Sequence, residues 1–439
     1  MRRLVALAML AALFAVTTWI DTGPAPGATP TFIAGLVLLL GHIAGHAIAA
    51  IGLPRISGYL AAGLLLGPDL LGVISTPVAG QLHFLNELAV AFIALAAGAE
   101  LHVAQLRARL GLIGWLVVST TLVTCLSVGL IVFVAGPALL PFAAGLTTVQ
   151  MAAVAALIGV VAVARSPSSA LAVIRECDAH GPFSETVLGV TVAIDVVTIV
   201  LFAIALSTCQ ALLSPNGALD LGFALMVLVE IAAGIVSGAA IGMILSFYIR
   251  RWPDNIALLL LGTALVVTEI AHGTARYVQD THELPLHLEP LLICVAAGFV
   301  VRNVGSSGAA FSEAVERVSL PVFVLFFTLA GASLDLQALR RTWVAALTLV
   351  AARSSSILAA SWAGAAIAGD QSSGRRLFGF TFLTQAGISV GLALEVVRRF
   401  PEWGEEFATI VVAAISVNQV VGPVAMKYAL QRVGEAKRT

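Results

Sequence analysis

The sequence predicts an all-α polytopic membrane protein with 13–14 transmembrane helices, arranged as two inverted six-helix repeats with crossing broken helices. Three observations predict it. Hydrophobic residues make up 59% of the chain and charged residues 11%, against about 25% charged in soluble domains. Mean hydropathy is +1.02. The apolar residues gather into runs near the roughly 20 residues that a helix needs to cross a bilayer. Finally, short motifs recur at one offset along the chain, which points to an internal repeat.

Fourteen apolar segments follow in order: 4–20, 31–51, 56–72, 84–101, 110–136, 147–174, 185–213, 221–249, 254–274, 285–303, 318–335, 342–368, 376–397 and 405–428. The first comes after Met1-Arg2-Arg3 and leads into TGPAPGATP. Residues 1–30 therefore read as a signal peptide, or as a signal anchor or extra helix. Residues 31–213 form the first repeat, 214–253 a linker helix, 254–430 the second repeat and 431–439 a short tail. With a cytoplasmic N-terminus, 16 of the 23 Arg and Lys residues fall on the cytoplasmic side and 5 on the other. Arg165 and Arg353 lie within segments. That asymmetry follows the positive-inside rule. It places both termini in the cytoplasm if the first helix is retained.

The repeat is carried by Ala61-Ala62-Gly63 against Ala296-Ala297-Gly298, and by Ala97-Gly98-Ala99 against Ala330-Gly331-Ala332. The offsets are 235 and 233 residues. Seven segments separate the mates. An odd number inverts the second copy, as in many secondary transporters. Such folds place substrate near the midplane, at helices that break. The sixth segment breaks at Ala164-Arg165-Ser166-Pro167-Ser168-Ser169, where proline removes a backbone donor. Its mate contains Thr384-Gln385-Ala386-Gly387-Ile388-Ser389.

Asp195 lies near the middle of the apolar run 185–213. A carboxylate at that depth is expensive and functional by default. Ser166, Ser168 and Thr191 supply nearby oxygens of the kind hard cations prefer. Gln385, Ser389 and Asn418 mark the second break and the last helix. Arg353 precedes that break. Arginine stays protonated, so it acts as a fixed charge, either coupled to transport or holding the crossing helices by binding carbonyls or an acid.

In this setting the sequence resembles the monovalent cation:proton antiporter superfamily, nearest its bacterial Kef-type, sodium/hydrogen exchanger branch. Arg55-Ile56-Ser57-Gly58-Tyr59-Leu60-Ala61-Ala62-Gly63 with Leu66-Gly67-Pro68 is similar to the family's early GYLLAG…LGP run. Asn86-Glu87-Leu88 with Glu100-Leu101, and Ser319-Leu320-Pro321-Val322-Phe323 with Leu334, resemble two further helices. Ser166-Pro167 resembles the end of its TSP break, and Asp195 the second residue of its acidic pair. Arg353 falls where the family has a membrane Lys or Arg. The resemblance implies a homodimer in the bacterial inner membrane, with core and dimerisation domains. It implies an aspartate that alternately binds a cation and protons during elevator-like alternating access. Two residues depart from the pattern: Ile194 stands where the family has Asp, Asn or Gln, and Arg165 where it often has Thr. A single carboxylate favours electroneutral exchange of Na⁺ or K⁺ for a proton.

Two alternatives keep the scaffold: a non-transporting membrane sensor or partner subunit, and a transporter of an anionic solute. The chain carries no nucleophile–base, phosphate-loop or metal-ligand pattern, so neither an enzyme nor a cofactor is expected. No nucleotide-binding domain or nucleic-acid surface is expected either. The four cysteines are scattered. His42 and His46 share a helix face without an accompanying acid. Glu269 and His272, three residues apart, form a candidate pH-sensitive pair. Glu87 is a candidate for a funnel or a cap, and Glu230 is another acid in an apolar run. Gly234, Gly238 and Gly242 suit close helix packing.

Overall fold

The computed structural model describes residues 30–103, 107–213, 221–252, 254–282, 288–304, 307–385 and 388–436. The first apolar segment and its signal-peptide reading lie outside the described residues, as do Ala386 and Gly387. Among the described residues, sixteen α-helices follow one another. They are α1 (Pro30–Ala49), α2 (Arg55–Leu66), α3 (Thr76–Gln81), α4 (His83–Glu100), α5 (Leu110–Leu139), α6 (Thr148–Val161), α7 (Pro167–Glu176) and α8 (Pro182–Leu213). Then come α9 (Leu221–Arg251), α10 (Ile256–His282), α11 (Pro290–Asn303), α12 (Gly308–Ala332), α13 (Leu336–Ile367), α14 (Phe378–Thr381), α15 (Ile388–Arg399) and α16 (Gly404–Val433).

Among the described residues, nine helices are long and apolar enough to span a membrane; α2, α6 and α11 are shorter apolar helices. Every apolar segment from 31–51 onward coincides with one helix or a broken pair. Some helices outrun their apolar cores. α12 begins ten residues before the apolar run, at Gly308, and its polar first turns carry the Arg317–Glu313 ion pair at 2.6 Å. α13 begins at Leu336, where the Asp335 carboxylate accepts from Ala338 N at 2.7 Å. Hydropathy senses the bilayer, whereas helix length also depends on caps and polar turns.

The helices gather into two bundles. One contains α1, α2, α4, α10, α11 and α12, with α9 laid against α11. The other contains α5, α6, α8 and α13 to α16. The broken-helix half α7 touches both, through α4 and α2 on one side and α8 and α16 on the other. The first bundle is built on two close crossings of the same kind. A Cβ on Gly98 of α4 would run into the Val295 carbonyl of α11, and one on Gly298 into the Leu95 carbonyl. A Cβ on Gly63 of α2 would meet the Thr328 carbonyl of α12, and one on Gly331 the Leu60 carbonyl. These are the glycines of the recurring Ala/Gly motifs. Gly238 and Gly242 of α9 sit as closely against the α11 backbone.

Two polar ties join the bundles at one end. Glu176, closing α7, accepts from Arg55 N at 2.6 Å and Ile56 N at 3.4 Å, covering the bare N-terminus of α2. Lys427 Nζ of α16 donates to the Leu53 carbonyl at 3.3 Å. At the same end, Glu435 caps the start of α8. Its carboxylate accepts from Phe183 N at 2.7 Å, Ser184 N at 2.8 Å and the Ser184 hydroxyl at 2.6 Å.

Candidate functional site

Both chain breaks lie in the second bundle. α6 opens with a capping box, in which Thr147 N donates to Gln150 Oε1 at 2.9 Å and Gln150 N to Thr147 Oγ1 at 3.3 Å. The helix ends at Val161. The chain then runs unwound to Ser166, whose hydroxyl accepts from Ser169 N at 3.2 Å and so caps α7, with Pro167 in its first turn. The matching break separates α14, ending at Thr381, from α15, beginning at Ile388.

Unwound backbone leaves carbonyls without helical partners. Arg353 of α13 serves both breaks. Its guanidinium donates to Ala162 O at 2.9 Å and Ala164 O at 2.9 Å in the first, and to Leu383 O at 2.8 Å and Phe382 O at 3.5 Å in the second. Gln385 Nε2 reaches from the second break to Val161 O at 3.0 Å, and Asn418 Nδ2 holds the Gln385 oxygen at 2.9 Å. Arg353, Gln385 and Asn418 line a cavity of about 20 Å³ with apolar residues around it. All three thus brace the crossing.

Asp195 of α8 sits at this crossing and is 4% exposed. Neither carboxylate oxygen makes a hydrogen bond to a described residue. Arg165, in the first break, is 1% exposed and likewise leaves Nε, Nη1 and Nη2 unbonded among the described residues. Its guanidinium lies 5.7 Å from the centroid of the Phe382 ring, within cation–π range. It is close enough to Asp195 for the two charges to interact through space. The buried hydroxyls of Thr198, Thr384 and Ser389 also lack a described partner.

Together with Pro167, Val192, Leu291, Ile388 and Glu289, Asp195 lines a second cavity of about 20 Å³, whose exposed wall is apolar. That volume holds one water or a small ion. A wider, charged vestibule of about 490 Å³ lies nearer the start of α8, lined by Glu100, Arg175, Ser184, Glu185, Leu188 and Arg302 among others. Arg175 and Glu100 form an ion pair in it. Leu188 and Asp195 are seven residues apart on one helix face, about 10 Å along the axis.

The remaining sequence candidates are placed as follows. Ser166 caps α7 and also donates to the Ser169 hydroxyl at 2.9 Å. Thr191 donates to Val187 O of its own helix at 2.7 Å, which leaves its lone pairs for another donor or an ion. Ser168 is buried beside Pro167, and Ser389 beside Ile388 of the Asp195 cavity. Ile194 is fully buried and apolar next to Asp195. The structure pairs His272 with Glu87, at 3.7 Å, rather than with Glu269. Glu87 also meets His83 at 3.3 Å, joining α4 to α10. The His42 and His46 ring centroids lie 4.4 Å apart, with the planes tilted by 56°. No cluster of three metal-ligating side chains occurs among the described residues. Sequence reasoning missed Glu289. It stands 94 residues from Asp195 at the edge of an apolar segment, where an acid beside Pro290 reads as an ordinary helix start.

Residues 35–428 match the family described as sodium/hydrogen exchanger, transmembrane. No curated protein matches the sequence. Among solved structures, the sodium proton antiporter MjNhaP1 from Methanocaldococcus jannaschii at pH 8 superposes with a TM-score of 0.65 and 16% identity, covering 92% of this chain and 99% of that one. An electron-microscopy structure of the same antiporter gives 0.72 and 18% identity, covering 93% and 98%.

Proposed function

Because the chain belongs to the sodium/hydrogen exchanger family, whose members are transporters and not enzymes, we propose that it is a cation:proton antiporter whose exchanging carboxylate is Asp195. The single observation that carries this reading is the state of that side chain. It is buried, has no hydrogen-bond partner among the described residues, and belongs to a residue lining a small cavity beside the two chain breaks. A buried carboxylate is tolerated when it carries either a proton or a cation. Alternation between those two partners is antiport.

The exchanged ion is Na⁺ or K⁺, and exchange is electroneutral: one proton leaves as one cation binds. The small cavity lies beside Asp195, and the charged vestibule lies nearer the start of the same helix. The vestibule holds Arg175 and Arg302, which positive-inside counting assigns to the cytoplasmic face. Transport proceeds by an elevator-like slide of the bundle carrying Asp195 past the other bundle, with the protein working as a homodimer in a bacterial inner membrane, both termini cytoplasmic. Ser166, Ser168 and Thr191 add oxygens to the site. Arg353, Gln385 and Ser389 belong to the braced crossing.

The test is cation-driven dequenching of a pH-sensitive dye in proteoliposomes. Wild-type protein should respond to Na⁺ or K⁺. Asp195→Asn should give no response, yet elute and melt as a folded protein. Undiminished exchange by Asp195→Asn would remove the assignment. A wild-type protein inert to both ions would favour a sensor on the same scaffold.

A further inference from the structure

Glu289 occupies the N-cap position of α11, yet its side chain makes no capping hydrogen bond. It is also one of the residues lining the cavity beside Asp195, whose buried carboxylate makes no hydrogen bond to a described residue. The two acids come from different bundles, Asp195 from α8 and Glu289 from the start of α11. We propose that Glu289 is a second cation-binding carboxylate of the exchange site, supplied across the interface between the bundles. This rests on the antiporter reading above.

Two physical arguments lead there. A monovalent cation entering a cavity of this size gives up most of its water and needs oxygens in return. Ile194 gives none, and beside the hydroxyls of Ser166, Ser168 and Thr191 Asp195 supplies the one carboxylate that this side of the interface offers. The second argument is charge balance. Arg165 is buried and close enough to Asp195 for their charges to interact, and with a single acid the pair would already be neutral. A cation entering it would then leave a net positive charge in a buried site, which is costly. Setting aside Arg353, whose guanidinium is solvated by carbonyls of both breaks, the Arg165 guanidinium, the Asp195 and Glu289 carboxylates and one cation sum to zero. A proton can replace the cation and leave the sum unchanged. Asp195 interacts electrostatically with both Glu289 and Arg165. The arrangement also ties binding to conformation, because the second carboxylate reaches the ion only while α8 faces the start of α11.

The experiment compares wild type, Asp195→Asn, Glu289→Gln and Glu289→Asp in proteoliposomes, with Na⁺ or K⁺ titrated on each side, and follows thermal stabilisation of the purified proteins by the same ion. Glu289→Gln should raise the apparent KM about tenfold, the effect of removing one charged ligand. The rise should be confined to the side onto which Glu289 faces, with kcat little changed. The midpoint of thermal stabilisation should shift equally, and Glu289→Asp should recover most of both. A Glu289→Gln protein with wild-type KM on both sides and wild-type stabilisation overturns the inference and leaves the antiporter reading intact. A KM rise equal on both sides that Glu289→Asp does not reverse also overturns it. If Glu289→Gln fails to fold, the Glu289→Asp protein decides. Its KM should be measurably raised on one side only, and an unchanged KM counts against the proposal. A wild-type protein without exchange or ion-dependent stabilisation removes the antiporter reading itself.

Discussion

Three buried charges divide the labour at the crossing, and their hydrogen bonds separate their roles. Arg353 has its donors engaged by carbonyls from both breaks, so its first task is to hold unwound backbone together. Lysine keeps the charge but not the planar fork. Arg353→Lys should therefore lose on the order of 2–4 kcal/mol of stability, read as a lower unfolding temperature in detergent, before any change in ion selectivity. Arg165 has no such partners among the described residues, and its influence is electrostatic. Replacing it removes a repulsion at the cation site. Arg165→Gln should lower the apparent KM for Na⁺ or K⁺ several-fold and slow turnover, because the ion is released less readily; a raised KM would contradict this role. In the proposed antiport, Asp195 exchanges its partner one for one. Its apparent KM for cation should rise about tenfold for each unit by which pH falls, over the range where protons compete for it, measured with equal pH on both sides of the vesicle.

At the scale of elements, close crossings and caps position the site. Gly98 and Gly298 meet backbone carbonyls on the facing helix, and backbone cannot swing aside as a flexible side chain would. Gly98→Ala or Gly298→Ala should destabilise by roughly 1–3 kcal/mol or more, whereas alanine at Gly111, which faces open space, should be neutral. α8 is held at its first turn by a residue about 250 positions away, Glu435, through two backbone amides and a hydroxyl. Glu435→Ala should cost about 1–2 kcal/mol, as removal of an N-cap does. An unchanged melting temperature would show that the cap contributes nothing.

At the scale of the whole molecule, the proposed slide of one bundle past the other must break the ties at Glu176–Arg55 and Lys427–Leu53. In a background freed of the four native cysteines, cysteines at Arg55 and Glu176 joined by a short thiol-reactive bridge should halt exchange. Each single cysteine treated the same way should leave it running. Exchange that continues with the bridge in place would exclude movement at this seam.

Much of this was legible along the chain. The apolar runs, the proline at the first break, the deep Asp195 and the Ala/Gly motifs are local features, and local chemistry gives them meaning: bilayer thickness sets run length, and a carboxylate in hydrocarbon needs a reason. The ends of α12 and α13 were less legible, because caps and ion pairs extend helices beyond what hydropathy registers. By itself the sequence determined a polytopic all-α exchanger architecture and singled out Asp195 as the candidate exchanging acid. Only the tertiary structure decided that Arg353 binds both breaks at once, that Arg165 stays unbonded among the described residues, and that Glu289 shares a cavity with Asp195. Those facts depend on which distant segments the packing of two bundles brings together across an interface, and no spacing along the chain encodes that distance.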